Sequence, residues 1–332
     1  MNTARHKLSP PVLLLAICLC LCLLRCQPAS EPEYRFRVSL LMNEQHTWYK
    51  AFVHFKHILE QRSNGRIRVE VYPSEQLAKE IEAIRMIQAG IIEMTVTSSL
   101  MSNWIEIAAF CEMPFLLRDT TDMKELINGP LGKRIEREML EKTGLRPVAY
   151  FPRGARHLTS NRPIRHPDEL KGLILRVPNV PSFVVAWEAM GAKPTPMAFS
   201  EVFTALQQGT VEAQENPFDL ILTSSFSEVQ KYINLTGHVI SWGYAVVGEK
   251  QFQQLPHDLQ TLFLQAAKEM QAYEHALFLA SERSIQDELR RQGMEFIEVD
   301  KAAFQEKCGD AIYNSLSPAM QEVYSEYLQS RH

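Results

Sequence analysis

Past its first 26 residues the sequence holds almost no cysteine. Cys18, Cys20, Cys22 and Cys26 lie in or beside an N-terminal apolar run, which leaves Cys111 and Cys308 in the body. Two cysteines in a chain of this length build neither a disulfide framework nor a zinc cluster. They are expected as buried free thiols, although an oxidising compartment would permit one bridge. Glycine is scarce too, 14 residues in 332, so little material exists for phosphate-cradling loops. The motifs GxGxxG, GxxxxGK[ST], GxSxG, HExxH and CxxC are all missing, and with them the commonest nucleotide, nucleophile and metal signatures. No cofactor and no metal are expected.

Long hydrophobic runs are equally rare. Val12 to Leu24 are 13 consecutive apolar residues, preceded by a segment with Arg5, His6 and Lys7 and no acid. That is the pattern of a secretory signal peptide, too short for a permanent span, and residues 1–29 are assigned to it. Cys26 in "LLRC" resembles a lipid-attachment cysteine, but Arg25 stands where a small residue is expected. Ala29 or Ser30 equally ends a conventional cleavage site, so release is placed ahead of lipid anchoring. No other apolar run approaches 18 residues, and the expectation is a soluble protein in the periplasm.

Excess positive charge is also lacking. Setting aside Arg5, Lys7 and Arg25 leaves 32 basic residues against 39 acidic ones, a net charge of −7, which argues against a nucleic-acid partner.

What is present is an alternation of strands and helices. "YRFRVSLL" (Tyr34 to Leu41) reads as a strand, and a helix from about His46 carries Trp48, Phe52, Phe55 and Leu59 at helical spacing to a stop at "SNG". "RIRVEVYP" (Arg66 to Pro73) has period two. A helix from about Leu77 to Ala89, the strand "IIEMTVTSS", a charged helix to about Thr143 and the strand "LRPVAYFP" follow. This order predicts a mainly parallel sheet covered by helices. Near Gly154 the texture changes to short strands with several prolines, then helices near Val180 to Met190 and Ser200 to Gln208, Ser200 reading as an N-cap. His257 to Gln292 contains no Gly or Pro. A continuous helix there reaches roughly 50 Å, longer than one lobe is wide. Two lobes are also what the chain length favours.

The chemistry concentrates in cationic and amide side chains. "RGARHLTSNRPIRHPDELKGLILRVP" contains Arg153, Arg156, Arg162, Arg165 and Arg176. On a period-two strand Arg176 shares a face with Ile174 and Pro178 while Leu173, Leu175 and Val177 share the other, so it need not enter the core. A guanidinium offers paired donors that match a carboxylate bidentately. Spacing alone leaves a ligand site and an internal salt bridge on even terms, and most of the other arginines read as solvated surface.

"RHLTSNRPIRHPDELKGLILRVPN" and "GAKPTPMAFSEVFTALQQGTVEAQENP" closely resemble the extracytoplasmic solute-binding proteins of tripartite ATP-independent periplasmic (TRAP) transporters, the DctP type. "RSNGRIRVEVYPSEQL" and "MPFLL" resemble the same family's first lobe. The resemblance implies a bilobed α/β periplasmic-binding-protein-like fold with a ligand cleft, hinge strands and a lobe-spanning helix. Residues 33–153 with about 242–281 then form lobe 1, and 154–241 with about 282–332 form lobe 2. Arg176 resembles the arginine that pairs with the ligand's carboxylate, and Arg156 a second arginine contacting carboxylate or hydroxyl. Asn216 in "QENP" resembles the amide fixing the carboxylate's other side, and Phe199 in "MAFSE" a wall. Glu80 occupies a region where many members carry an acid for hydroxyls, with Ala78 replacing the usual glycine. Ser98 lies where sialic-acid-binding members have a glutamate, which counts against sialic acid. Gln45, His46 and Trp242 are further lining candidates, with packing or surface roles as the competing reading for His46 and Trp242.

The expected function is capture of a small organic acid, a uronate or aldonate first, and its delivery to a TRAP membrane permease by a monomer. A C4-dicarboxylate, with Arg156 taking the second carboxylate, is the runner-up, and sialic acid stays open. Outside transport, the alternatives are an exported enzyme acting on sugar acids, with His157 or Glu80 as acid or base, and a sensor partner reporting a ligand to a receptor.

Overall fold

The structure is a computed structural model and describes residues 31–330. The export signal read in residues 1–29, with Cys26, lies outside the described residues. Among these, nine strands make one mixed sheet: β1 Tyr34–Ser39, β2 Ile67–Tyr72, β3 Met94–Thr97, β4 Leu145–Ser160, β5 Ile174–Val177, β6 Lys193–Pro196, β7 Ala213–Pro217, β8 Tyr232–Gly248 and β9 Glu295–Ile297. Their order is β2-β1-β3-β8-β4-β7-β5-β6, with β9 on β8. β1, β2 and β3 are parallel to one another, as are β5, β6 and β7. The long strands β4 and β8 join these two halves, running antiparallel to each other and to β7 and β3 respectively, while β9 lies parallel to β8. The sheet is therefore mixed, because β4 and β8 traverse both lobes of a bilobed α/β fold.

Local sequence explains most elements. The helix Thr47–Arg62 buries Trp48, Ala51, Phe52, Phe55, Ile58 and Leu59 at three- and four-residue spacing. The chain leaves it through left-handed Asn64 and Gly65. The next helix runs over Glu80–Gln88, three residues later than its apolar spacing suggests. Glu82 Oε2 accepts from the Lys79 backbone N–H at 3.3 Å and sets the start there. The charged stretch expected as one helix is two, Thr120–Asn128 and Pro130–Thr143, because Gly129 ends the first and Pro130 opens the second.

Two sequence expectations need correction or extension. β4 does not stop at Pro152 but continues to Ser160, absorbing register shifts at Pro147/Ala149, Pro152/Gly154 and Arg156/Leu158. Proline without an N–H and a glycine at φ +71 are tolerated at such irregularities. Ser200 is no N-cap: it sits inside a 3₁₀ turn, Phe199–Glu201, that leads into the helix Val202–Gln207 without a side-chain cap. Cys111 and Cys308 are both buried free thiols, as expected, and form no bridge.

The helix His257–Arg291 is continuous over 35 residues. It packs on the helix Thr47–Arg62 and on β4, with Phe263, Ala266, Ala267 and Met270 fully buried.

Candidate functional site

A cavity of about 240 Å³ lies where the two halves of the sheet face each other. One wall comes from the ends of β1 and β3 and the start of the helix Glu80–Gln88. The other comes from β5, β7 and the 3₁₀ turn at Phe199.

Arg176 projects from β5, which is flanked by β6 and β7. Its side chain is buried, and Nε and Nη2 both donate to the Met197 carbonyl at 3.1 and 2.7 Å. Its guanidinium carbon lies 5.8 Å from the Phe199 ring centroid. It forms no ion pair with any carboxylate among the described residues, and burial pulls its pKa down to about 10. A buried cation without an acid of its own is costly to keep. An arriving anion removes that cost.

Arg156 is differently placed. It faces the same cavity from β4, but its fork is filled: Nε and Nη2 donate to the Glu215 carboxylate at 2.5 and 2.8 Å. Nη2 also reaches the Glu215 carbonyl at 2.8 Å and Asn216 Oδ1 at 3.1 Å. Burial disfavours the ionised Glu215, yet the Arg156 charge and the hydrogen bonds from Arg156 and His238 outweigh it and bring the pKa down to about 2. His238 Nε2 lies 2.9 Å from Glu215 Oε2, and Nδ1 lies 2.8 Å from the Thr236 hydroxyl. Since Glu215 is anionic, Nε2 carries the donated proton and Nδ1 accepts from Thr236.

Arg153, at the same cavity, donates to Glu112 Oε1 at 2.6 Å and to Ser98 Oγ at 3.3 Å. Glu112 Oε2 accepts from Ser98 at 2.9 Å and from Ser99. Despite burial, Arg153 and Arg156 hold the Glu112 carboxyl below its ordinary range. Glu80 accepts from Thr97 Oγ1 at 2.9 Å, and burial raises its pKa to about 7. Near neutral pH its carboxyl is therefore able both to accept from and donate to a hydroxyl. Asn216 is fixed by Arg156 and by its own Nδ2, which donates to Gln214 Oε1 at 2.6 Å.

The cavity thus brings together Arg176, Arg156, Asn216, Phe199, Glu80 and Ser98. It does not include Gln45, His46 or Trp242. Gln45 is an exposed turn residue. His46 is buried at the N-cap of its helix, where Nδ1 accepts from Trp48 N at 3.1 Å and Nε2 pairs with Asp219 at 2.8 Å. Trp242 on β8 is fully buried and meets Tyr244 edge to face, 6.0 Å between centroids. His157, considered as an acid or base, is buried against Phe218 away from the cavity, and burial pushes its pKa down to about 3. Arg162 and Arg165 are exposed, as expected of solvated arginines.

Sequence reasoning missed Glu112 and Glu215 and assigned Arg153 no partner. Each acid did leave a signal, as the single charge in "IAAFCEMPFLL" and in the wholly buried strand "AQENP". A lone acid in an apolar setting implies a partner.

The profile of the bacterial extracellular solute-binding protein family 7, DctP, matches residues 38–325. A TRAP periplasmic solute-binding protein from Roseobacter denitrificans, solved with bound L-galactonate, is 43% identical and superposes with a TM-score of 0.87, covering 90% of this chain and all of that one. A Haemophilus influenzae counterpart with bound L-gulonate is 32% identical, TM-score 0.83, over 90% and 98% of the two chains. The 2,3-diketo-L-gulonate-binding periplasmic protein of Escherichia coli is 31% identical over 78% of this chain and 79% of its own.

Proposed function

Because the chain belongs to the DctP family of bacterial extracellular solute-binding proteins and is a TRAP solute-binding protein, we propose that it captures a hydroxylated sugar acid, an aldonate or uronate, and hands it unchanged to a membrane permease. The observation that carries this reading is Arg176, a buried guanidinium in a cavity whose hydrogen bonds among the described residues go to a backbone carbonyl and not to an acid. The ligand's carboxylate takes the place of its missing acid. Asn216 lies at the carboxylate end, Phe199 gives an apolar wall, and Glu80 and Ser98 on the opposite wall exchange hydrogen bonds with hydroxyls. A micromolar complex needs about 8 kcal/mol, more than one charge-assisted contact supplies, so the hydroxyl contacts contribute.

The ligand reaches both walls at once. In this reading lobe 1 (33–153 with about 242–281) and lobe 2 (154–241 with about 282–332) meet at β4 and β8, and the register shifts at Pro147/Ala149, Pro152/Gly154 and Arg156/Leu158 are proposed as the bending points. A ligand that binds the closed arrangement better shifts the population toward it. The C4-dicarboxylate alternative assigns the second carboxylate to Arg156. That fork already holds Glu215, which favours the sugar acid.

Export to the periplasm through residues 1–29, action as a monomer and the absence of catalysis belong to the same proposal. The test is a thermal-shift and calorimetric screen with L-galactonate, L-gulonate, D-galacturonate, succinate and malate. A ligand at 100 times its dissociation constant stabilises by about 2.7 kcal/mol. Stabilisation by the sugar acids, recovered unchanged after incubation, supports the reading. Tighter binding of succinate or malate, or turnover of any acid, rejects it.

A further inference from the structure

A second chamber adjoins the acid site. It measures about 200 Å³ and shares Leu41, Glu75 and Phe199 with the first. Phe199 links the two by contact as well: it lies beside the Arg176 guanidinium and meets Phe226 of the second chamber edge to face, 6.0 Å between centroids. The remaining lining mixes aromatic rings, such as Phe203, with the hydroxyls of Ser74, Ser200 and Ser224. Apolar faces with a few placed polar groups suit a small polar ring better than a purely aliphatic tail.

Glu75 stands at the junction of the two chambers. Its Oε2 is buried and has no hydrogen-bond partner among the described residues. Ser74 and Glu75 both lie in the left-handed region, φ 54 and 56, where side chains other than glycine are disfavoured. Hydrogen bonds from Ser74 N to Met42 O (3.0 Å) and from Glu75 N to Leu40 O (2.9 Å) hold the turn. Disfavoured backbone retained at a cavity wall is characteristic of ligand sites. A buried carboxylate oxygen without a donor is unsatisfied until a ligand supplies one.

We propose that the second chamber is a subsite for a glycosyl substituent on the sugar acid, with Glu75 Oε2 accepting a hydrogen bond from a hydroxyl of that substituent. This rests on the acid-site reading, since the carboxylate on Arg176 fixes the end from which the extension runs. The preferred ligand is then an aldonate carrying a second sugar, an aldobionate.

The experiment is titration calorimetry of the mature protein with D-gluconate, L-galactonate, lactobionate and cellobionate. Variants Glu75→Ala, Ser224→Trp and Arg176→Lys are titrated in parallel. At least one aldobionate should bind tenfold or more tightly than D-gluconate. Ser224→Trp should erase that preference while leaving both monomeric acids within twofold of the wild type, and Glu75→Ala should weaken the aldobionates by a larger factor than either monomeric acid. Aldobionates binding no tighter than D-gluconate overturn the subsite, as does Glu75→Ala weakening all four acids equally. If the wild type binds none of the acids, or Arg176→Lys binds them unchanged, the acid-site reading falls and the subsite with it.

Discussion

Arg156 and Glu215 meet fork to fork at 2.5 and 2.8 Å with both side chains out of solvent, and this pairing separates the roles of two arginines on one cavity. Arg156 is a structural cation with its own acid. Arg176 has none among the described residues, and the ligand supplies it.

Replacing Arg176 by lysine keeps the charge and loses the planar fork. Affinity for L-galactonate should fall at least tenfold, about 1.4 kcal/mol, with the fold intact because the lost hydrogen bonds go only to the Met197 carbonyl. Titration calorimetry showing wild-type affinity would reject Arg176 as the carboxylate partner.

The two arginines should also differ in unfolding. Glu215→Gln leaves Arg156 buried beside a neutral amide and should destabilise by about 3–5 kcal/mol. Arg176→Met removes a buried charge that has no internal counter-ion, so the ligand-free protein should be as stable as the wild type or more so, while losing acid binding. Urea unfolding ranks the two variants, and the reverse order contradicts the assignment.

Stability should depend on pH through Glu274, on the long helix. Burial first, then the neighbouring Asp219, raises its pKa to about 8 against the opposing hydrogen bond from Thr47. The unfolded group titrates near 4.3. Between about pH 4 and 8 the folded chain therefore holds a proton that the unfolded chain has released, and this contribution to stability declines as pH rises. Glu274→Gln cannot titrate, so its loss of stability from pH 5 to 8 should be smaller than the wild type's. Parallel melting curves would refute this. Glu215 has the opposite sign: its folded pKa is depressed, so its contribution is present above the unfolded value and is lost as pH falls toward about 2.

Lys79 Nζ and Glu201 Oε1, 2.5 Å apart, tie the start of the helix Glu80–Gln88 to the turn at Phe199 across the cavity. Both are exposed, so unfolding should barely respond to their loss. Lys79→Glu sets like charges on the two lips and should weaken acid binding roughly two- to fivefold. Adding Glu201→Lys should restore it. A double variant no better than Lys79→Glu would show that the pair does not assist closure.

Much of the framework was legible because it is local. Trp48, Phe52, Phe55 and Leu59 repeat at helical spacing, and all four are buried. The Gly- and Pro-free stretch from His257 does form one helix. Less legible were the elements decided by distant partners. β4 runs eight residues past Pro152 because β7 and β8 offer it hydrogen bonds. Trp242 reads equally as a cavity wall or a core residue until β8 is paired and its inward face is known.

By itself the sequence determined the α/β alternation, the long helix, the family and the cluster of arginines, since each is written in spacing or in contiguous motifs. Only the tertiary structure decided which arginine is committed. Leu158 and Glu215 are partners in the register of β4 with β7, and that register brings the Glu215 carboxylate to Arg156 across 59 residues of chain. Alternation along β5 places the Arg176 guanidinium on a face. Whether an acid waits for it there depends on pairings between strands far apart in sequence, which no local pattern encodes.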